Sequence, residues 1–160
     1  MNTSAFSALY AKYAPDVFRF ALYLSGNRAE AEDIVSETFV RAWNAPGRIE
    51  AATVKAYLFT IARNLFLQGL RNKSRHVAID ERLADPGANP HAQAQTRAEV
   101  QSVLAGLQEL PETDRAALLM RALDAIPYEE IARALGISLA AAKVKVHRAR
   151  LKLAERREAK

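Results

Sequence analysis

The residues best able to do chemistry in this 160-residue chain are cations, and they are unevenly spread. Eight Lys or Arg and two Glu fall within 143–160, a net of +6, whereas 1–142 holds 15 basic and 16 acidic groups, a net of −1. Lysine and arginine bind phosphate and can donate to guanine O6 and N7, and a valine among them, Val144, can rest on a thymine methyl. A smaller group, Arg63, Arg71, Lys73 and Arg75, gives four cations and no acid across 63–75. Within it the amide of Asn64 can pair with a base edge and Phe66 can offer a stacking face or serve as core. Asp33 and Glu37 stand one helical turn apart, like charges that slightly weaken a free helix and suit a basic partner.

Other chemistries are absent from the pattern. There is no cysteine, so neither a disulfide framework nor a thiolate metal site can form, and a reducing cytoplasm is the expected compartment. His76, His91 and His147 are too scattered for a zinc site. No glycine-rich phosphate loop, His-Glu-x-x-His or nucleophile elbow occurs, so no enzyme, metal or cofactor is expected. No basic segment leads an apolar run at the N-terminus and no apolar stretch is long enough for a span, so membrane insertion is not expected.

These groups must be carried on helices. Apolar residues recur at helical spacing almost throughout and no strand-like alternation is found, which predicts an all-α fold. Phe6, Leu9, Tyr10, Tyr13, Val17, Ala21 and Leu24 mark one helical face, with Pro15 as a break or fresh start and Ser25-Gly26-Asn27 as a stop. A second helix is predicted over 29–44 and a third from Thr53 into the basic run at Arg71. Between His76 and Gln95 the period vanishes in a segment with two prolines. The composition predicts a flexible linker over 76–95, joining a helical unit at 1–75 to another at 96–160.

The segment YEEIARALGISLAAAKVKVHRARLKLAE has the most specific pattern. Pro127 suits a first turn, Ile131, Ala132 and Leu135 form an apolar face, Gly136 supplies a left-handed corner and Ser138 can cap the next helix. On that helix Leu139, Ala142, Val146, Ala149 and Leu153 form a core stripe. Opposite lie Ala140, Ala141, Val144, Lys145, His147 and Arg148, with Lys143 and Arg150 at the flanks. Small residues at the helix start followed by cations suit a major-groove reader, because a bulky start would hold the helix off the base edges.

With these residues in view, the chain resembles the extracytoplasmic-function (ECF) group of sigma-70-type transcription initiation factors. LGISLAAAKVKVHRARLKL is similar to their promoter-reading helix, and LPETDRAALLMRALDAIPYEEIA to the helices before it. AEDIVSETFVRAW resembles the family's core-polymerase-binding helix, and AYLFTIARNLFLQGLRNKSR the helices that read the downstream promoter element. The resemblance implies a sigma-2-like bundle at 1–75 and a sigma-4-like helix-turn-helix domain at 96–160. It implies core RNA polymerase on Asp33, Ser36, Glu37, Phe39, Val40 and Trp43, and the downstream (-10) element on Arg63, Asn64, Arg71, Lys73 and Arg75. The upstream (-35) element falls to Lys143, Val144, Lys145, His147, Arg148 and Arg150. An anti-sigma factor is the further implied partner, and because both DNA elements would be contacted from one polymerase surface, the resemblance implies that the two units need the linker's reach more than mutual packing. Ser36 replaces the family's usual glutamine, and Leu67 and Gln68 also depart from its pattern.

Two other readings fit part of the pattern. A sigma-mimicking regulator would sequester an anti-sigma factor without touching DNA, but such proteins carry a receiver domain and have no need of an intact basic helix. A dimeric helix-turn-helix repressor would need no polymerase, and would leave the acidic face at Asp33 and Glu37 unexplained.

Overall fold

The computed structural model describes residues 2–45, 54–73 and 90–158, with side chains omitted for 90–96 and 158. These residues form seven helices: α1 (Thr3–Ser25), α2 (Arg28–Trp43), α3 (Val54–Lys73), α4 (Pro90–Gln108), α5 (Glu112–Asp124), α6 (Tyr128–Leu135) and α7 (Leu139–Glu158). No strand occurs among the described residues, as the helical periodicity predicts.

Local chemistry explains most boundaries. Asn2 caps α1 by accepting from the Ala5 N–H at 2.7 Å, and Asn27 caps α2 through the Glu30 N–H at 2.8 Å. Between them Gly26 takes φ 71° and donates to Leu22 O, closing α1 in a left-handed turn. A side chain at Gly26 would also meet Gln108, whose Nε2 donates to the carbonyls of Tyr23 and Leu24.

Two expectations need correction. Pro15 does not break α1: it lies inside a continuous helix, on an exposed stretch beside exposed Ala11. Proline removes the amide that the Ala11 carbonyl would use and crowds that carbonyl, at about 3 kcal/mol; water can take the vacated carbonyl on this solvent face, and burial of the opposite face of α1 offsets the rest. Second, α4 begins at Pro90, so residues 90–95 are helical rather than linker. Proline suits a first helical position, and the Ala and Gln after it are good helix formers even without an apolar stripe. The rest of the predicted linker, 76–89, lies outside the described residues, as does Arg75 at the end of the first unit.

Helices α1–α3 pack around Phe20 and Phe59, whose rings stack at 4.6 Å and 4°. At the other end Phe39 lies edge-on to Phe6 and Tyr10, and Phe6 edge-on to Trp43. Helices α4–α7 build a second unit on Leu107, Leu118, Met120, Ile131 and Val146. The two units do not stand apart. Helices α4 and α5 contact α1, and α5 and α6 contact α3, so one cluster of buried side chains runs from Val17 to Ala149. The units thus pack on one another as well as being tethered, with buried apolar residues of α1 and α3 in the same cluster as those of α5 and α6.

Candidate nucleic-acid and polymerase interfaces

The corner between α6 and α7 is built as the residue types require. Gly136 has φ 66°, and a side chain there would meet nothing within 4 Å, so glycine serves the backbone angle rather than space. The Ile137 N–H returns to Ala132 O at 3.0 Å, and Ser138 Oγ accepts from the Ala141 N–H at 3.0 Å. Ala142, Val146 and Ala149 then seat α7 with no exposure, while Leu139 is 40% exposed and lies outside the buried stripe to which its spacing assigns it. At the first turn of α7 the packing against α5 and α6 has not yet closed over that face. On the opposite side Lys143, Val144, His147, Arg148 and Arg150 are exposed.

Two of the cations on α7 share one carboxylate. Asp114, on the first turn of α5, is only 1% exposed at its side chain. It accepts from Arg148 Nε at 2.9 Å (Oδ2), from Arg148 Nη2 at 3.0 Å (Oδ1) and from Lys145 Nζ at 3.5 Å (Oδ1). The hydrogen-bonded Arg148 guanidinium is the main influence holding the Asp114 carboxyl below its ordinary range, against a burial that would raise it; Lys145 adds to the lowering. Nearer the end of α7, Arg156 donates to Glu109 and to the Ser102 carbonyl, fastening the helix to α4.

On α2 the helix period sorts the candidate docking residues. Asp33, Ser36, Glu37 and Val40 are exposed, and Trp43 is partly so while it packs on Phe6. Glu37 meets Arg41 one turn on at 3.5 Å, with both groups about half exposed. Phe39 is the correction in this set: at 2% exposure it points inward against Phe6 and Tyr10, so it supports the face from beneath and offers no contact surface.

The candidates on α3 are divided by burial and by the second unit. Asn64 is exposed in mid-helix, and Phe66 is core at 3% exposure, which removes it as a stacking platform. Arg71 and Lys73 are exposed at the C-terminal turn, where Lys73 meets Glu30 at 2.9 Å. Arg63 instead turns toward α5, donating from Nε and Nη2 to the two carboxylate oxygens of Glu112 at 2.8 and 2.6 Å. A planar fork on a carboxylate is the strong form of such a pair.

That pair belongs to a polar seam between the units. Arg115 on α5 is buried and donates to Leu24 O at 2.6 Å, Leu107 O at 2.9 Å and Leu110 O at 3.1 Å. Its charge thus meets carbonyls near the C-terminal ends of α1 and α4, where the helix dipoles are negative. Desolvation lowers the Arg115 pKa, with Glu112 acting the other way. At the far end of α5, Asp124 takes Lys55 at 3.1 Å and Arg19 at 3.5 Å, and Asp16 lies 3.5 Å from each of those cations. Burial opposes the Lys55 charge, but Asp124 and Asp16 outweigh it and raise its pKa.

Comparison with known proteins places this architecture. The family model for Sigma-70 region 2 matches residues 9–76, and that for Sigma-70, region 4 matches 101–153. ECF RNA polymerase sigma factor SigM of Bacillus subtilis is 33% identical over 147 residues, covering 91% of this chain and 90% of the relative. The chain belongs to the ECF sigma factors. SigE of Mycolicibacterium smegmatis is likewise 33% identical over 153 residues, spanning 91% of this chain and 58% of that longer relative. Among solved structures, the sigma factor RpoE in complex with the anti-sigma factor NepR from Bartonella quintana has a TM-score of 0.76 at 26% identity, covering 96% of each chain. CnrH in complex with the cytosolic domain of CnrY has a TM-score of 0.75 at 25% identity, covering 99% of this chain and 90% of that one.

The region 4 match contains α5, α6 and most of α7, and the region 2 match contains α2 and α3. Three polar residues of this sigma factor escape a reading of its sequence. Glu112 and Asp114 look there like ordinary acids at a helix start, and Arg115 like a solvated cation. Only their partners, on α3, α7 and the end of α1, reveal what they do.

Proposed function

We propose that this sigma factor binds core RNA polymerase through the exposed α2 face of Asp33, Ser36, Glu37, Val40 and Trp43. It holds the upstream element with Lys143, Val144, Lys145, His147, Arg148 and Arg150. It reads the opened downstream element with Arg63, Asn64, Arg71 and Lys73, together with Arg75. The observation that carries this reading is the separation of faces on α7: a buried seam of Ala142, Val146 and Ala149 on one side and exposed Lys143, Val144, His147 and Arg148 on the other. A helix seated this way behind a glycine corner can enter a major groove without disturbing its core.

Because Arg63 is committed to Glu112 in the packed arrangement, its use on DNA requires the two units to part. An anti-sigma factor is the partner suited to holding them together, a reading supported by the similarity to RpoE, whose structure is a complex with the anti-sigma factor NepR. The protein acts in the cytoplasm as a regulator and not as an enzyme; no described helix is long and apolar enough to cross a membrane.

Run-off transcription with core polymerase, on promoters selected from a random library, tests the reading. Specific starts that depend on this chain are expected. Binding to core with no specific start from any selected promoter would refute initiation.

A further inference from the structure

Arginine reads guanine best when its guanidinium is already aimed, since a free side chain loses considerable rotamer entropy on being fixed. Arg148 is aimed before any DNA arrives. Its Nε and Nη2 hydrogens lie along one edge of the guanidinium, and both are taken by the two oxygens of Asp114. Five N–H donors in a rigid fork leave three after that edge is used, and the other edge, formed by Nη1 and the second hydrogen of Nη2, is the geometry that fits guanine O6 and N7. The Arg148 side chain is 51% exposed while its carboxylate partner is 1% exposed, so the buried edge is anchored and the free edge can face solvent. The anchor is itself rigid: Asp114 sits on the first turn of α5, next to Arg115 with its three carbonyl partners.

We infer that Asp114 is a specificity-determining positioning residue, a buried carboxylate on α5 that holds the Arg148 fork in the orientation with which α7 reads one base pair. Lys145 shares Asp114 through a longer single contact, so it supplies charge without a fixed direction. Asp114 also cancels one of these two positive charges, which moves the local balance from general phosphate binding toward directed contact. The inference rests on the reading of α7 as the upstream-element helix and adds to it a residue that touches no DNA.

The test uses holoenzyme reconstituted from core polymerase and the full chain, bound to a selected promoter and to a set with each upstream base pair replaced in turn. Arg148→Ala first locates the pair that Arg148 reads. Asp114→Ala is expected to lose about tenfold of the discrimination at that same pair, with the double variant losing no more than Arg148→Ala alone, since the two residues act as one unit. Asp114→Asn, which keeps the side-chain shape, guards against a folding defect; in the free chain its Arg148 Nε–H is expected to exchange faster with solvent than in the parent protein. Discrimination lost in Arg148→Ala but kept in both Asp114 variants, or additive losses in the double variant, would overturn the positioning role and leave the reading of α7 intact. No change at any pair in Arg148→Ala would overturn that reading and the inference with it.

Discussion

The pair between Arg63 and Glu112 makes the closed arrangement testable. Its two hydrogen bonds, at 2.6 and 2.8 Å, join side chains that are 12% and 18% exposed, a setting between a solvated ion pair and a buried one. Exposed pairs contribute about 0–1 kcal/mol, and breaking a buried one costs about 3–5 kcal/mol, so about 2 kcal/mol is the reasonable figure here. That corresponds to about a 30-fold shift in the equilibrium between packed and parted units. Glu112→Gln keeps the shape of the side chain and removes its charge. The absence of native cysteine allows dyes on cysteines placed at exposed Ser7 on α1 and Lys152 on α7, so that energy transfer reports separation. In Glu112→Gln, units should part at lower salt or urea than in the parent chain, ahead of any loss of helicity. The exchanged pair, Arg63→Glu with Glu112→Arg, should restore much of the midpoint while failing to restore any DNA contact made by Arg63. An unchanged midpoint in Glu112→Gln would show that the Arg63–Glu112 pair does not hold the units together and would refute the electrostatic argument made for it.

Other sites give independent expectations. Arg115→Met should lower stability by about 3–5 kcal/mol, because the carbonyls of Leu24, Leu107 and Leu110 lose their buried donor; a fall of about 10 °C in the thermal midpoint by circular dichroism would agree. Asp114, with its folded pKa lowered, contributes stability that is fully present above the ordinary carboxylate pKa of about 4 and is lost as pH falls through its folded value. Acid unfolding should therefore lose part of its pH dependence in Asp114→Asn, and identical acid profiles would contradict this. Thr38 is fully buried with no hydrogen-bond partner for its hydroxyl, so Thr38→Val should be neutral or stabilise by up to about 1 kcal/mol in urea melts.

The sequence by itself determined what depends on neighbours a few residues apart. The 3.6-residue period assigned the helices, set Asp33 and Glu37 one turn apart on what proves an exposed face of α2, and separated the buried and cationic sides of α7. Gly136 and Ser138 marked the turn between α6 and α7 because a left-handed angle and an N-cap each need a particular residue type. Where two faces of one helix compete for burial, the same period was less decisive, and Phe39, Phe66 and Leu139 were settled by what packs over them. Tertiary structure alone decided the closing of the two units and the destinations of their charges. Arg63 finds Glu112 across 49 residues, Arg148 finds Asp114 across 34, and Arg115 finds Leu24 across 91. No local pattern encodes such pairs, because a charged side chain has the same helical preference whether it faces water, a carbonyl or a partner from another helix. Their geometry exists only once apolar burial has brought α1, α3, α5 and α7 together.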